Sequence, residues 1–138
     1  MVRILAALWL GIVIGVSFMA TPIKFNAPSL SLSTALEVGR VTFRLLNHVE
    51  WGLAAMMVFV VATSAERRMD VLVAALAVGA IVVLQSTWLL PALGRRTDAL
   101  AGVASAAPSS LHQLFIIVEL FKCVLLGYVA IRSSADPP

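Results

Sequence analysis

Four long apolar runs, separated by short polar segments, dominate this sequence. They cover residues 4–20, 45–63, 71–90 and 111–131. Each approaches the roughly 20 residues that an α-helix needs to span about 30 Å of hydrocarbon. A bilayer core offers no hydrogen-bond partners, so a spanning segment must satisfy its own backbone, as a helix does. The pattern therefore predicts an all-α, four-helix transmembrane bundle with both chain ends on one side.

Composition supports a membrane protein. Of the 138 residues, 61% are hydrophobic and 12% are charged, whereas a soluble domain is about 45–50% apolar and about 25% charged. A soluble domain of this length cannot bury so much apolar surface. The net charge is +3, but the basic residues lie at the ends of the apolar runs, where they anchor membrane helices. We expect a multi-pass protein of a cell or inner membrane, with the lipid bilayer as partner and no nucleic acid.

Helix-breaking and capping residues predict the boundaries of the first two helices. The first run begins like a signal peptide but lacks a good cleavage site, so it is interpreted as an uncleaved helix that ends at Pro22. Ser33 or Thr34 is the predicted cap of the second helix, with Glu37 as the acid of a capping box. The second helix then covers about 33–63, which is longer than the hydrocarbon requires. It is predicted to extend beyond the membrane on one side.

The remaining boundaries follow from similar signals. Pro91 and Gly94 are predicted to end the third helix, and Ser109 or Ser110 to cap the fourth. Residues 1–132 are expected to form one domain, with a disordered tail at 133–138. We call the side with both chain ends side A and the opposite side B. Lysines and arginines are almost equally divided between the two, so charge leaves the orientation open.

Three ionisable residues fall in the last apolar run. His112 and Glu119 are seven residues apart and Glu119 and Lys122 three apart, so all three are close to one helix face. An unpaired cation in the bilayer centre costs about 2.5–3.5 kcal/mol on insertion scales. We therefore predict that Glu119 and Lys122 face the bundle interior, paired with each other or with Gln85 or Glu50.

This polar face has two interpretations. In the first, Arg44, Glu50, Glu119 and Lys122 form an ion or proton path, since charged groups inside a membrane are functional candidates. In the second, the charged residues are a paired seam that only fixes helix packing.

The chain's two histidines, His48 and His112, are predicted near side B on two different helices. Imidazole suits transition metals, and two histidines are the number that holds a haem axially. Two ligands are too few for a closed zinc site. The sequence thus leaves two hypotheses: a metal or haem site at His48 and His112, or two hydrogen-bonded histidines at the interface.

The remaining sequence motifs constrain the structure and function less. Cys123 is the one cysteine, so no internal disulfide is expected. The nucleophile, metalloprotease and phosphate-loop motifs are missing, and an enzyme is not expected. Gly11 and Gly15 form a small-xxx-small motif that permits close helix packing. We predict that this packing occurs within the bundle rather than between copies.

Three segments resemble a known family. They are "FRLLNHVEWG", "WLLPALGRR" and "SSLHQLF", which include His48, Trp88 and His112. In order and spacing they are similar to the transmembrane protein 205-like family, small four-helix membrane proteins built on a domain of unknown function. The resemblance implies a compact four-helix bundle and carries no established activity. The animal relatives are associated with platinum-drug resistance and vesicular export. Both histidines match family positions, whereas Glu119 and Lys122 depart from the animal pattern.

The functional prediction is a multi-pass membrane protein that handles or transports a small ion, proton or metal. The alternative is a structural or accessory subunit of a larger membrane complex. A homo-oligomer also stays open.

Overall fold

The computed structural model describes residues 1–64, 68–99 and 110–133, and these residues form four helices. The helices are α1 (Val2–Asn26), α2 (Leu32–Thr63), α3 (Met69–Arg96) and α4 (Ser110–Arg132). The helical backbone that follows α3 continues to Ala99. Within the described residues there is no strand. Each helix is long and apolar enough to cross a membrane, which confirms the predicted all-α, four-helix bundle.

The helices form a ring in chain order, with α4 returning to pack against α1. Two contacts across the bundle, between Phe43 and Phe115 and between Glu50 and Lys122, show that α2 and α4 run parallel. Both helices start on side B and end on side A. On side A, the Arg68 guanidinium donates a hydrogen bond to the backbone oxygen of Arg132. The start of α3 therefore lies beside the end of α4.

The length of α2 confirms the prediction that this helix is longer than the hydrocarbon requires. Its 32 residues correspond to about 48 Å at about 1.5 Å per residue, against about 30 Å of hydrocarbon. The helix ends at Thr63 as predicted, but the predicted cap was wrong. The N-cap is Ser31, whose hydroxyl oxygen accepts a hydrogen bond from the backbone N–H of Thr34 at 3.2 Å. The N-cap thus lies two residues before Ser33, the helix starts at Leu32, and Glu37 lies outside its first turn.

Pro22 and Pro91 do not end their helices, and the helix also continues through Gly94. Each proline follows a π-helical segment, Ile14–Ala20 in α1 and Gln85–Leu89 in α3. The changed hydrogen-bond spacing of a π segment accommodates a residue that lacks an N–H. Nearby threonine hydroxyls bond to backbone oxygens, Thr21 to Val16 and Thr87 to Val83, both at 2.8 Å. A π-helical segment before a proline is one of the local adjustments that allow proline inside a membrane helix.

Between the middle of the bundle and side A, the interior is an aliphatic core with one buried tryptophan, Trp9. All four helices contribute to it, and its largest fully buried apolar members include Trp9, Val13, Met57, Val78, Val82, Leu126 and Val129. Many large apolar side chains face outward instead, among them Ile4, Phe59, Phe121 and Val124. An outward apolar surface is what a lipid environment stabilises.

Gly11 and Gly15 do not pack closely within the bundle, so that prediction was wrong. Gly11 is exposed, and a Cβ at either position would meet no side chain or neighbouring helix within 4 Å among the described residues. Close packing between copies, the alternative to that prediction, stays open. Residues 65–67, 100–109 and 134–138 lie outside the described residues, and with them the predicted cap at Ser109 and most of the predicted tail.

Candidate functional site

A buried charge cluster in the middle of the bundle is centred on Lys122. This side chain has 0% of its surface exposed. Its ammonium nitrogen lies 2.9 Å from Glu119 Oε1, 2.9 Å from Gln85 Oε1 and 2.5 Å from Glu50 Oε1. An ammonium group has three N–H donors, so the three oxygens match its full donor capacity. The lysine joins α4 to α2 and α3.

A second bond from Gln85 and two further side chains complete the cluster. The Gln85 amide nitrogen donates to Glu119 Oε1 at 2.7 Å. The indole N–H of Trp9 donates to Glu50 Oε1 at 3.0 Å, and the hydroxyl of Ser17 donates to Glu119 Oε2 at 3.4 Å. Every helix of the bundle therefore contributes to the cluster. Such pairing is what makes buried charge tolerable in hydrocarbon.

The two π-helical segments supply part of this site. Ser17 lies in the π segment of α1, and Gln85 is the first residue of the π segment of α3. Both side chains hydrogen bond to Glu119. Single π turns inside α-helices occur frequently at functional sites. The irregular turns next to Pro22 and Pro91 thus coincide with the polar centre of the bundle.

The cluster has more acid than base. Among the described residues, the buried charged side chains are Glu50, Glu119 and Lys122. With all three ionised, two carboxylates and one ammonium carry a net charge of −1. An uncompensated charge away from water is costly, and ionisable groups in such places become neutral instead. One added proton makes the cluster neutral.

A narrow crevice runs from the cluster toward side B. Its polar lining consists of Asn47, Glu50, Gln85 and Glu119, and its apolar lining consists of Phe43, Leu46, Leu90 and Phe115. The crevice leaves no space for a water molecule. The rings of Phe43 and Phe115 meet edge to face, with their centroids 4.8 Å apart. The cluster is therefore closed toward side B in this conformation.

A second polar group lies on the α2–α3 side of the crevice. Ser86 donates to the Asn47 side-chain oxygen at 2.9 Å and also lies 2.6 Å from the backbone oxygen of Val82. Its own oxygen accepts from the indole N–H of Trp51 at 2.9 Å. Asn47 is 9% exposed, and its amide nitrogen has no hydrogen-bond partner within the described part of the chain.

The structure separates the predicted site residues into two sets. Glu50, Glu119 and Lys122 come together in the charge cluster, whereas Arg44, His48 and His112 are exposed. The Nδ1 atom of His48 lies 2.7 Å from the backbone oxygen of Arg44. Among the described residues, no three histidine, cysteine or acidic side chains are grouped to hold a metal. The metal or haem site at His48 and His112 stays a prediction.

Sequence reasoning missed Trp9 and Ser17. Both lie in the first apolar run, which was interpreted only as a spanning helix. The available signal was their chemistry, because an indole N–H and a hydroxyl in hydrocarbon each need a hydrogen-bond partner. Their partners lie 41 and 102 residues away, so the sequence alone does not identify them.

The fold and the cluster together define a small four-helix membrane protein with a buried charged centre. No protein-family model, curated protein or solved structure matches this chain.

Proposed function

We propose that this membrane protein handles protons, and that its charge cluster is the group that binds and releases them. The observation that carries the proposal is the composition of the cluster: two carboxylates and one ammonium, all fully buried in the centre of a four-helix bundle. Acidic groups inside membrane proteins mark proton relays and ion paths. A neutral cluster holds one proton on its two carboxylates, and loss of that proton restores the net negative charge.

The hydrogen bonds support a division of roles. Lys122 holds the two carboxylates at one point, because its ammonium contacts Glu50 and Glu119 together. Gln85 bridges Lys122 and Glu119 by accepting from one and donating to the other. Trp9 donates to Glu50 and fixes that carboxylate. We assign proton binding to Glu50 and Glu119, and positioning to Lys122, Gln85 and Trp9.

Proton flux in reconstituted vesicles tests the proposal. The purified protein is placed in liposomes that contain a pH-sensitive dye, and a potassium gradient with an ionophore sets the membrane potential. Proton entry above that of empty liposomes is expected for the wild type. Glu50→Gln and Glu119→Gln should abolish it, since glutamine keeps the shape but takes up no proton.

The matched control is Glu37→Gln, which makes the same change at an exposed glutamate of α2 and should leave proton entry unchanged. A wild-type protein that admits no more protons than empty liposomes contradicts proton transport. So does a Glu119→Gln variant with undiminished flux.

The second candidate is a structural or accessory subunit of a larger membrane complex. It is favoured because all three N–H donors of the Lys122 ammonium have acceptors. These acceptors lie on α2, α3 and α4 and so connect the three helices at one point. For this function, Glu50→Gln and Glu119→Gln should keep both the fold and the host phenotype. The resemblance to the transmembrane protein 205-like family stays a proposal and agrees with either candidate.

A further inference from the structure

Residues on the parallel helices α2 and α4 face each other at three matched levels. From side B toward the bundle centre, α2 presents Phe43, Asn47 and Glu50, and α4 presents Phe115, Glu119 and Lys122. In both helices the steps are four residues and then three, so each set lies on one face. Phe43 contacts Phe115 at the first level, and Glu50 contacts Lys122 at the third. Asn47 and Glu119 therefore share the middle level.

The middle level is the one that is incompletely bonded. The Asn47 amide nitrogen is a buried donor without a partner in the described part of the chain. Across the crevice, Glu119 Oε1 accepts from Lys122 and Gln85, whereas Oε2 accepts one long bond of 3.4 Å from Ser17. A carboxylate oxygen accommodates about two hydrogen bonds. At the middle level, α2 thus presents the amide donor of Asn47, which is unpaired among the described residues. Facing it, α4 presents Glu119 Oε2, which can accept a further hydrogen bond.

Both residues line the same crevice. A ligand for this place must accept a hydrogen bond from an amide and donate one to a carboxylate. It must also be very small, because the crevice is narrow. Water has this chemistry, and it can relay a proton without itself being consumed.

We propose that Asn47 and Glu119 are the two sides of a water-binding site, and that the Phe43–Phe115 pair closes this site toward side B. The inference rests on the proposed function, for which it supplies the route of the proton. The water takes a proton from solvent on side B and gives one to Glu119 Oε2, so that it remains water. Because the crevice leaves no space for a water molecule in this conformation, the water binds only when the two rings separate.

The surroundings of the pair agree with a closing role. Phe115 is buried, and Phe43 is partly buried. The ammonium of Lys24 lies 5.9 Å from the centre of the Phe43 ring and 5.2 Å from that of Phe25. A cation at this distance attracts the ring face. Lys24 therefore stabilises the position of Phe43 without bonding to the carboxylates.

Thiol labelling tests this inference without relying on proton transport. In a Cys123→Ser background, Asn47→Cys places one thiol at the middle level. A small membrane-impermeant methanethiosulfonate is added to vesicles that contain the oriented protein. Ser29→Cys and Thr63→Cys are exposed reference positions for side B and side A. A thiol at position 47 reacts only where water reaches it.

With both rings intact, slow labelling is expected. Phe115→Ala should accelerate it by about tenfold, or about 1.4 kcal/mol in the free energy of opening, and only from the side that labels Ser29→Cys. Phe121→Ala removes an exposed ring from the same helix and should leave the rate unchanged. Leu46→Cys, at a buried crevice position, repeats the measurement if Asn47→Cys does not fold.

Equal rates in Phe115→Ala and Phe121→Ala overturn the closing role, as does labelling from the side of Thr63→Cys. The outcomes are separable from those of the flux assay. Side-specific acceleration without wild-type proton flux keeps the water site and rejects the proposed function. Proton flux without acceleration keeps the proposed function and rejects this route.

Discussion

Toward side A the bundle interior is packed with aliphatic side chains, whereas its centre and the part toward side B are lined with charged, amide and aromatic groups. In the first region Met57, Val78 and Leu126 belong to one cluster of buried apolar side chains. In the second, Lys122 and its acceptors are held by directed bonds between helices. The two regions have similar burial and different chemistry.

This difference predicts how substitutions in each region affect the stability of the bundle. In a membrane, lipid tails are as apolar as the core, so burial of an apolar side chain brings little hydrophobic free energy. The apolar core is stabilised instead by close van der Waals contacts. A lost methyl group therefore weakens contacts locally. A lost partner in the polar centre leaves another charge unpaired where no water replaces it. We expect single substitutions to cost most in the centre.

Lys122→Met is expected to have the largest effect. It leaves Glu50 and Glu119 without their shared cation, and breaking a buried ion pair from one side costs about 3–5 kcal/mol. Denaturant titration in detergent micelles measures the free energy of unfolding. Lys24→Met is the matched control, because Lys24 is only partly buried and contacts aromatic rings.

A triple variant sharpens this prediction. Glu50→Gln, Glu119→Gln and Lys122→Met together leave no charge in the cluster and should recover most of the lost stability. Glu119→Leu with Lys122→Leu removes only two members and leaves the Glu50 carboxyl without its cation, so it should be less stable than the triple variant. If Lys122→Met is no worse than Lys24→Met, the cluster does not hold the helices.

Met57→Ala probes the apolar region. Met57 is fully buried in the core, and such truncations cost about 2–5 kcal/mol. Met56 is the next residue and is 55% exposed, so Met56→Ala is a control with the same chemistry. The same titration should show a clear loss for Met57→Ala and little change for Met56→Ala. Equal losses would mean that this core does not stabilise the bundle.

Trp9 lies at the junction of the two regions, and Trp9→Phe tests its role there. Phenylalanine keeps most of the packing but removes the hydrogen bond to Glu50, and bonds to charged groups contribute about 1.5–3 kcal/mol. Trp88→Phe changes an exposed indole and should stay within about 0.5 kcal/mol of wild type. An unchanged unfolding midpoint for Trp9→Phe would place the role of Trp9 in packing alone.

Arg132→Gln should have the smallest effect. Arg132 forms an ion pair with Asp70 on side A at 3.0 Å, but both side chains are partly exposed. Solvent and salt screen such a pair. The change in unfolding midpoint should be smaller than that of Trp9→Phe and should shrink further as salt is added. A loss as large as that of Lys122→Met would reverse the proposed contrast between buried and exposed pairs.

Sequence reasoning was most accurate for features that depend on local composition. The four spans, the end of α2 at Thr63 and the fourth helix followed from continuous runs of apolar residues. The interior position of Glu119 and Lys122 followed from the cost of charge in hydrocarbon. Pro22 and Pro91 were misjudged, because each proline follows a π-helical segment that a helix-breaker rule does not take into account.

The sequence by itself determined that this chain forms four apolar helices and that a lysine and a glutamate must be paired among them. Chain length and hydropathy decide these points, since each helix satisfies its own backbone. Only the tertiary structure decided that Trp9, Ser17 and Gln85 complete the cluster with Glu50, and that Arg44 and both histidines lie outside it. The rotation and depth of one helix against another depend on side-chain packing between distant segments, which is not encoded at any single position.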